Sequence, residues 1–480
     1  MPAAAPVIVW FRRDLRLADN PALAAAAARG APVLPLFILD AAETPSPGGA
    51  ARWWLHHSLR ALAGDLRRHG APLCLRRGTA EEILPELARR VGAGAVFWNR
   101  CYEPQAVARD RRLKRKLSDE GLEVSSFNGG LLVEPWELQT GSGAPYKVFS
   151  PFWRALQAAG DPPAPLAPSD RLKGLEGIAS DDLDTWELLP VKPDWAGGLR
   201  AAWTPGERGA AARLTAFLDG GAAHYKAERE RPDRAGTSRL SPHLHWGEVS
   251  PRQIWQATRH AVAAGRLADS AAEAFLRQLG WRDFSHSLLF HWPDFSERSW
   301  RREFEAFPWR DDEAAFRAWC RGRTGYPIVD AGLRELWATG WMHNRVRMVA
   351  ASFLVKHLLI PWQHGEAWFR DTLVDADLAN NTAGWQWVAG SGADAAPYFR
   401  IFNPVTQGEK FDPKGDYVRR WVPELSGLPG DTIHRPWEAP ADLLAQAKVT
   451  LGSTYPKPIV DHKAARARAL AAYEEMRKAP

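Results

Sequence analysis

The sequence predicts a two-part protein: an α/β N-terminal domain with a parallel, doubly wound sheet, a long connector, and then an all-α domain. Three observations predict it. Five short apolar runs alternate with helical patterns over the first 130 residues, a Pro-, Gly- and Asp-rich stretch follows from Glu134, and beyond Thr204 the apolar spacing is helical almost throughout. The bounds this suggests are 1–133, 134–204 and 205–480.

The strands are expected at Pro6 to Phe11, Pro32 to Leu39, Pro72 to Leu75, Ala95 to Trp98 and Leu122 to Phe127. Between them, stretches such as Trp53 to His69 carry apolar residues at helical spacing, which makes a βαβ series with helices on both faces of the sheet. No GxGxxG follows the first strand, so a dinucleotide fingerprint is not expected there. A ligand of this domain would sit at the carboxyl ends of its strands. The stretch from Glu134 to about Gly206 includes Asp161 to Pro168 and reads as a connector over the surface. The later helices are expected at Ala210 to Leu218, Ser250 to Ala264, Ser270 to His291, Asp312 to Trp319, Asp330 to Thr339, Trp341 to Leu359 and His462 to Met476.

Composition narrows the function class. The chain has 480 residues, 45% hydrophobic and 25% charged, an ordinary globular balance. Three scattered cysteines make no disulfide framework or paired zinc site, and the apolar residues of Met1 to Trp10 precede Arg12 and Arg13, the reverse of a signal peptide. A cytoplasmic protein with no membrane span is expected. The net charge of +6 invites a nucleic-acid reading, yet residues 131 to 480 hold 43 basic and 43 acidic residues, so a DNA face there needs segregated charge. Trp is abundant, 24 against 8 Tyr, with 16 beyond residue 200. Core packing and a need for stacking or electron transfer both account for that.

Several segments carry polar groups in patterns a plain core does not use. Thr237 to Pro242 (TSRLSP) is a hydroxyl-rich turn in which Ser241 can cap a helix and Pro242 can begin it, and such helix starts also bind phosphate. Phe275, Gln278 and Arg282 share one helical face with Trp281 beside Gln278, and Asn344, Arg347 and Met348 share another, which suggests a pocket because buried polar groups need partners. Asp375 and Asp377 in a short loop are open to three readings: a metal site, an acid–base pair or surface acids. No clustered His or further acids complete a metal site. Tyr398 to Asp412 adds Arg400, Asn403, Gln407 and Lys410 in a turn-rich strip suited to phosphate and base contacts.

Together TSRLSP, TGYPIVDAGLREL (Thr324 to Leu336), WMHNRVRM, DADLANN with GWQW, and RIFNPVTQGEKFD resemble the photolyase and cryptochrome flavoprotein family. The resemblance begins at WFRRDLRLADN (Trp10 to Asn20) and runs almost to the C-terminus. WWLHHSL (Trp53 to Leu59) and VAGSGADAAPYFRIFNP (Val388 to Pro404) look most like the bacterial class III cyclobutane pyrimidine dimer photolyases.

The resemblance implies light-dependent DNA repair, in which photoexcited FADH⁻ donates an electron to split a cyclobutane pyrimidine dimer. It implies that the helical domain binds FAD, with Tyr225 and Thr237, Ser238, Arg239, Leu240 and Ser241 at the phosphates and sugar. Phe275 would lie beside the cofactor where relatives often have Trp, Arg347 would pair with Asp375, Asp377 would meet the flavin's polar edge, and Asn381 would face N5. Arg229, Gln278, Trp281, Arg282, Asn344, Arg345 and Gln407 match positions that contact damaged DNA, and Met348 and Trp387 would line the dimer pocket. Trp385, Trp362 and Trp309 fall where the family places an electron relay. A light-harvesting antenna in the N-terminal domain is implied, 5,10-methenyltetrahydrofolate being favoured over a deazaflavin. The chain has Ala106 where some folate-binding members carry glutamate. The implied protein is a monomer, bacterial-type and cytoplasmic, associated with the nucleoid when bound to DNA, without a metal.

Gln278 departs from the glutamate usual in dimer photolyases and also occurs in the group that repairs (6-4) photoproducts. That group carries His at the positions of Asn344 and Met348, which favours cyclobutane dimers here. A cryptochrome-type photoreceptor, a (6-4) photolyase and a flavin electron-transfer protein without a light role are the alternatives.

Overall fold

The computed structural model describes residues 4–40, 42, 46–169, 171–395 and 399–478. Five strands, β1 (Val7–Phe11), β2 (Val33–Asp40), β3 (Cys74–Gly78), β4 (Ala95–Asn99) and β5 (Glu123–Phe127), form one parallel sheet in the order β3-β2-β1-β4-β5. β1 is central, with Val7 opposite Val33 on one side and Ala95 on the other. Its five residues are all buried, as expected of a strand covered on both faces, and a continuous VIVWF run is the sequence consequence. The helices α1 (Pro21–Ala28), α2 (Gly49–Arg68), α3 (Ala80–Val91) and α4 (Pro104–Asp119) make the crossovers. Beyond the strand ends lies a charged network, in which Arg12 pairs with Asp110 at 2.6 Å and Asn99 Nδ2 donates to Asp14 Oδ2 at 2.6 Å.

The stretch 134–204 is more structured than a surface connector. It contains α5 (Phe149–Ala158), whose Phe149, Phe152, Trp153 and Leu156 are buried at helical spacing. The prolines on both sides mask that periodicity in the sequence. The next elements are α6 (Gly197–Ala202), α7 (Glu207–Ala216), α8 (Ala222–Glu228), α9 (Ser241–His245), α10 (Pro251–Ala263) and α11 (Asp269–His291). After them come α12 (Glu313–Cys320), α13 (Pro327–Thr339), α14 (Asn344–Ser352), α15 (Trp362–Thr372), α16 (Leu378–Ala389), α17 (Pro404–Phe411), α18 (Asp416–Trp421), α19 (Ala441–Gln446) and α20 (His462–Lys478).

Three expected elements differ. Leu240, whose backbone is already helical, takes the cap position and Ser241 becomes the first residue of α9; an apolar Leu side chain has no acceptor, so there is no side-chain cap bond. The helix expected from Trp341 starts at Asn344, since His343 takes the cap position and accepts from the Arg345 N–H at 3.2 Å. The strip expected to be turn-rich is helical over α17; Asn403 caps it and Pro404 opens it, so both residues mark a helix start. Tyr398, at the head of that strip, lies outside the described residues.

The chain divides into two compact units. One comprises 1–196, 200–223 and 238–293; the other comprises 197–199, 224–237 and 294–480. The first has its core around the sheet, including Ile8, Trp10, Leu36 and Trp98. The second is built around α12 to α16, including Trp319, Val346, Trp362 and Trp385. Among the described residues no helix is long and apolar enough to cross a membrane.

Candidate functional site

In the second unit, α14 and the loop before α16 present an ion pair. Arg347 Nη2 donates to Asp375 Oδ1 at 3.1 Å and Oδ2 at 2.9 Å, and Arg347 Nε donates to the Met342 carbonyl at 2.7 Å. The Asp375 side chain is 3% exposed against 24% for Arg347, so the arginine keeps access to something beyond its partner. Asp377 caps α16, accepting from the Asn380 N–H at 2.8 Å. One turn into that helix, Asn381 Nδ2 donates to Glu366 Oε1 at 2.8 Å and to the Glu366 carbonyl at 3.2 Å. Burial raises the Glu366 carboxyl above its ordinary range, against the pull of Arg370 and Asn381. Sequence reasoning missed Glu366, because an isolated helical glutamate next to Arg370 at i+4 reads as a surface pair.

Arg229 and Arg345 share one carboxylate. Arg345 Nε donates to Glu230 Oε2 at 2.6 Å, and Arg229 Nε donates to Oε1 at 3.1 Å. Arg229 also lies 5.4 Å from the Tyr225 ring centroid. Burial pushes the Glu230 carboxyl up, and Arg345 and then Arg229 more than offset it, so the group stays ionised below its ordinary range. Asn344 is exposed at the start of α14, and its Nδ2 lies 3.9 Å from Met348 Sδ one turn later. Trp387 is half-buried on α16, Gln407 is half-buried on α17 with no partner for its buried Oε1, and Lys410 is exposed.

The three tryptophans expected to form a relay pack in or against one apolar cluster: Trp385 and Trp362 are buried in it and Trp309 borders it. Trp385 rests on Gly365 of α15, where a Cβ would come within 2.1 Å of the indole Cη2. Its Nε1 is buried without a partner. Trp362 Nε1 donates to Ser299 Oγ and Trp309 Nε1 to the Phe304 carbonyl, each at 3.3 Å.

The remaining expected residues belong to the first unit, except Thr237, which falls in the second. Phe275 is buried on α11, with its ring 4.7 Å from that of Phe217. Trp281 stacks on Phe149 at 3.6 Å and 9°, so α5 backs the indole. Gly280 beside it admits the edge of Trp153; a Cβ there would lie 2.5 Å from Cε3. Gln278 Nε2 donates to the Ala274 carbonyl at 3.2 Å, and Arg282 Nη1 donates to the Gly130 carbonyl at 2.5 Å. In the 238–241 turn, Arg239 takes a left-handed backbone with φ of 52° and sets its guanidinium 4.4 Å from the Trp203 ring. Leu240 N–H donates to Ser238 Oγ at 3.4 Å.

Residues 275–475 match the model described as the FAD binding domain of DNA photolyase, and residues 7–169 match the model described as DNA photolyase. The chain is 55% identical over 475 residues to a deoxyribodipyrimidine photo-lyase of Agrobacterium fabrum, covering 99% of this chain and 98% of that one. The chain belongs to the photolyase and cryptochrome family. A crystal structure of a bacterial class III photolyase from Agrobacterium tumefaciens superimposes with a TM-score of 0.97 at 55% identity, over 100% of this chain and 99% of that one. Cryptochrome-1 of Arabidopsis thaliana is 43% identical over 98% of this chain and 70% of its own length.

The residues present fit the FAD that this family's domain is named for. In the second unit an Arg347 oriented by Asp375 and a Thr237 hydroxyl that no described residue bonds are donors such a cofactor can use; in the first unit, taken by itself, the Ser238 and Ser241 hydroxyls and the Arg239 guanidinium are donor types that a pyrophosphate or ribose takes. The partnerless, buried Thr382 Oγ1 on α16 adds a polar atom beside Asn381. No group of three or more His, Cys, Asp or Glu among the described residues is placed to hold a metal.

Proposed function

We propose that this photolyase-family chain is a deoxyribodipyrimidine photo-lyase that splits cyclobutane pyrimidine dimers in ultraviolet-damaged DNA under blue light. The observation that carries the reading is full-length identity of 55% to a photo-lyase, with α14 offering Asn344 and Met348, neither a proton-transferring His. When bound, reduced and excited, FAD supplies the electron that opens the dimer and takes it back afterwards, so no redox equivalent is consumed.

The chain's own residues bind, orient and exclude water. Tyr225, Thr237, Ser238, Arg239, Leu240 and Ser241 hold the phosphates and sugar, Phe275 gives a flat apolar wall, and Arg347, Asp375, Asp377 and Asn381 hold the flavin. A dimer pairs poorly, so extruding it costs less than extruding an intact base. Trp281 and Trp387 then replace the lost stacking, Gln278 hydrogen-bonds the lesion, and Asn344, Met348 and Gln407 complete its surroundings. Arg229, Arg282 and Arg345 take phosphates. Trp309, Trp362 and Trp385 carry electrons inward by successive hops when the cofactor needs reduction.

In this reading residues 1–133 hold an antenna, 5,10-methenyltetrahydrofolate before a deazaflavin, 134–204 connect, and 205–480 bind FAD and DNA. The protein works as a cytoplasmic monomer that joins the nucleoid when bound to DNA. An absorption spectrum of the purified protein tests both chromophores at once. The function is tested by illuminating the reduced protein with oligonucleotides that carry one lesion each. Repair of the cyclobutane dimer supports the reading, and repair of only the (6-4) product overturns the substrate. Photoreduction without any repair favours a photoreceptor, the class represented by the Arabidopsis relative.

A further inference from the structure

We propose that Glu230 is a positioning residue for DNA binding, whose carboxylate fixes Arg345 and Arg229 as one phosphate clamp. The inference rests on the photolyase reading above. Arg345 gives both Nε and Nη2 to Glu230 Oε2, and Arg229 gives Nε to Oε1, so both carboxylate oxygens are engaged. Each guanidinium is also held against a ring, Arg345 at 4.4 Å from the Phe411 centroid and Arg229 at 5.4 Å from that of Tyr225. The side chains of Arg345 and Glu230 are 16% and 30% exposed, which removes the freedom that makes surface pairs weak.

A guanidinium carries five N–H donors in a rigid fork that matches phosphate as well as carboxylate. Glu230 occupies the Nε edge of Arg345, and no described residue takes Nη1. The carboxylate thus spends one edge of the fork to orient the other. His343, which caps the same helix, is pushed down to about 4 by burial and adds no charge at neutral pH. The local sum of Arg229, Glu230 and Arg345 is one positive charge, held in a fixed direction.

Electrostatics alone predicts the opposite sign, which makes the inference decidable. An acid among phosphate-binding arginines repels DNA, so removing it would tighten binding. Loss of positioning weakens binding instead.

The test uses the FAD-loaded full chain and a duplex carrying one cyclobutane dimer, with affinity measured in the dark across a salt series. Glu230→Ala is expected to weaken binding at least tenfold and to lower the log–log salt slope by about 0.9, one phosphate contact. The loss should fall on KM for damaged DNA far more than on kcat, and Glu230→Gln, which keeps an acceptor oxygen, should recover part of it. In an Arg345→Ala background the Glu230→Ala change should weaken binding less than it does in the wild type, because only Arg229 remains for Glu230 to hold. Equal or tighter binding by Glu230→Ala with FAD retained overturns the proposal. If that variant does not fold, Glu230→Gln decides by the same sign. A wild-type protein that neither binds nor repairs the dimer refutes the photolyase reading, a separate outcome.

Discussion

The buried carboxylate of Glu366 fixes the amide of Asn381, accepting from its Nδ2 at 2.8 Å. Because the amide nitrogen is committed, the Asn381 carbonyl oxygen is left as the acceptor that the proposed function would offer to a flavin N–H. Glu366→Leu removes that commitment and lets the amide turn. We expect an altered flavin absorption band and slower photoreduction in Glu366→Leu, with recovery in Glu366→Gln. A wild-type spectrum and rate in the leucine variant would remove Glu366 from the site.

Asp375→Ala leaves Arg347 with one acceptor, the Met342 carbonyl. Breaking a buried pair costs roughly 3 to 5 kcal/mol, and the partial exposure of Arg347 places this pair at the low end or below. Flavin content of the purified variant should fall sharply. Full FAD occupancy would contradict the assignment of this loop.

Trp385→Phe keeps most of the bulk that sits on Gly365 but removes the readily oxidised indole. The fold and FAD content should survive while photoreduction slows. Undiminished photoreduction would exclude Trp385 as the first step of the relay.

Gln278 keeps both hydrogen-bonding senses of an amide but cannot supply a proton. Gln278→Glu should therefore preserve or raise the yield of dimer repair without changing which lesion is repaired. A switch of lesion in that variant would show that this one position sets the substrate.

Asp283 is fully buried on α11, accepting from the Leu132 and Val133 N–H groups at 2.7 and 3.2 Å, and burial raises its carboxyl to about 6. As pH rises through about 4 the unfolded chain gives up this proton first, so the folded state binds more protons until about 6. Stability from this group is full below the unfolded value and declines across that window, by roughly 3 kcal/mol in all. The difference in Tm between wild type and Asp283→Asn should shrink or reverse between pH 4 and pH 6. A constant difference would mean that Asp283 titrates normally.

The sheet was legible because a strand buried on both faces leaves an unbroken apolar run, as in Val7–Phe11. Helix α5 was not, because Pro151 and the prolines after Gly160 disguise the i, i+3, i+4 pattern of Phe149, Phe152 and Trp153. At the candidate site, helical spacing pointed to Arg347 and the acidic loop to Asp375, while Asn381 came only through the family resemblance of the motif that contains it. Glu366 and Glu230 escaped because they act through other side chains: an acid that holds an arginine or an amide looks, in one dimension, like any surface acid. Only coordinates reveal that each is shared between partners.

The Trp385 indole N–H has no acceptor, whereas Trp362 and Trp309 donate to Ser299 Oγ and the Phe304 carbonyl. An indole that loses an electron becomes a strong acid, and it is neutralised only where something can take the proton. In the proposed relay, a hole on Trp385 would find no protein acceptor for its proton, whereas Trp309, only half-buried, lies nearer solvent. If electrons travel inward along these three residues, positive charge is pushed outward and trapped only at the far end, which makes the transfer one-way.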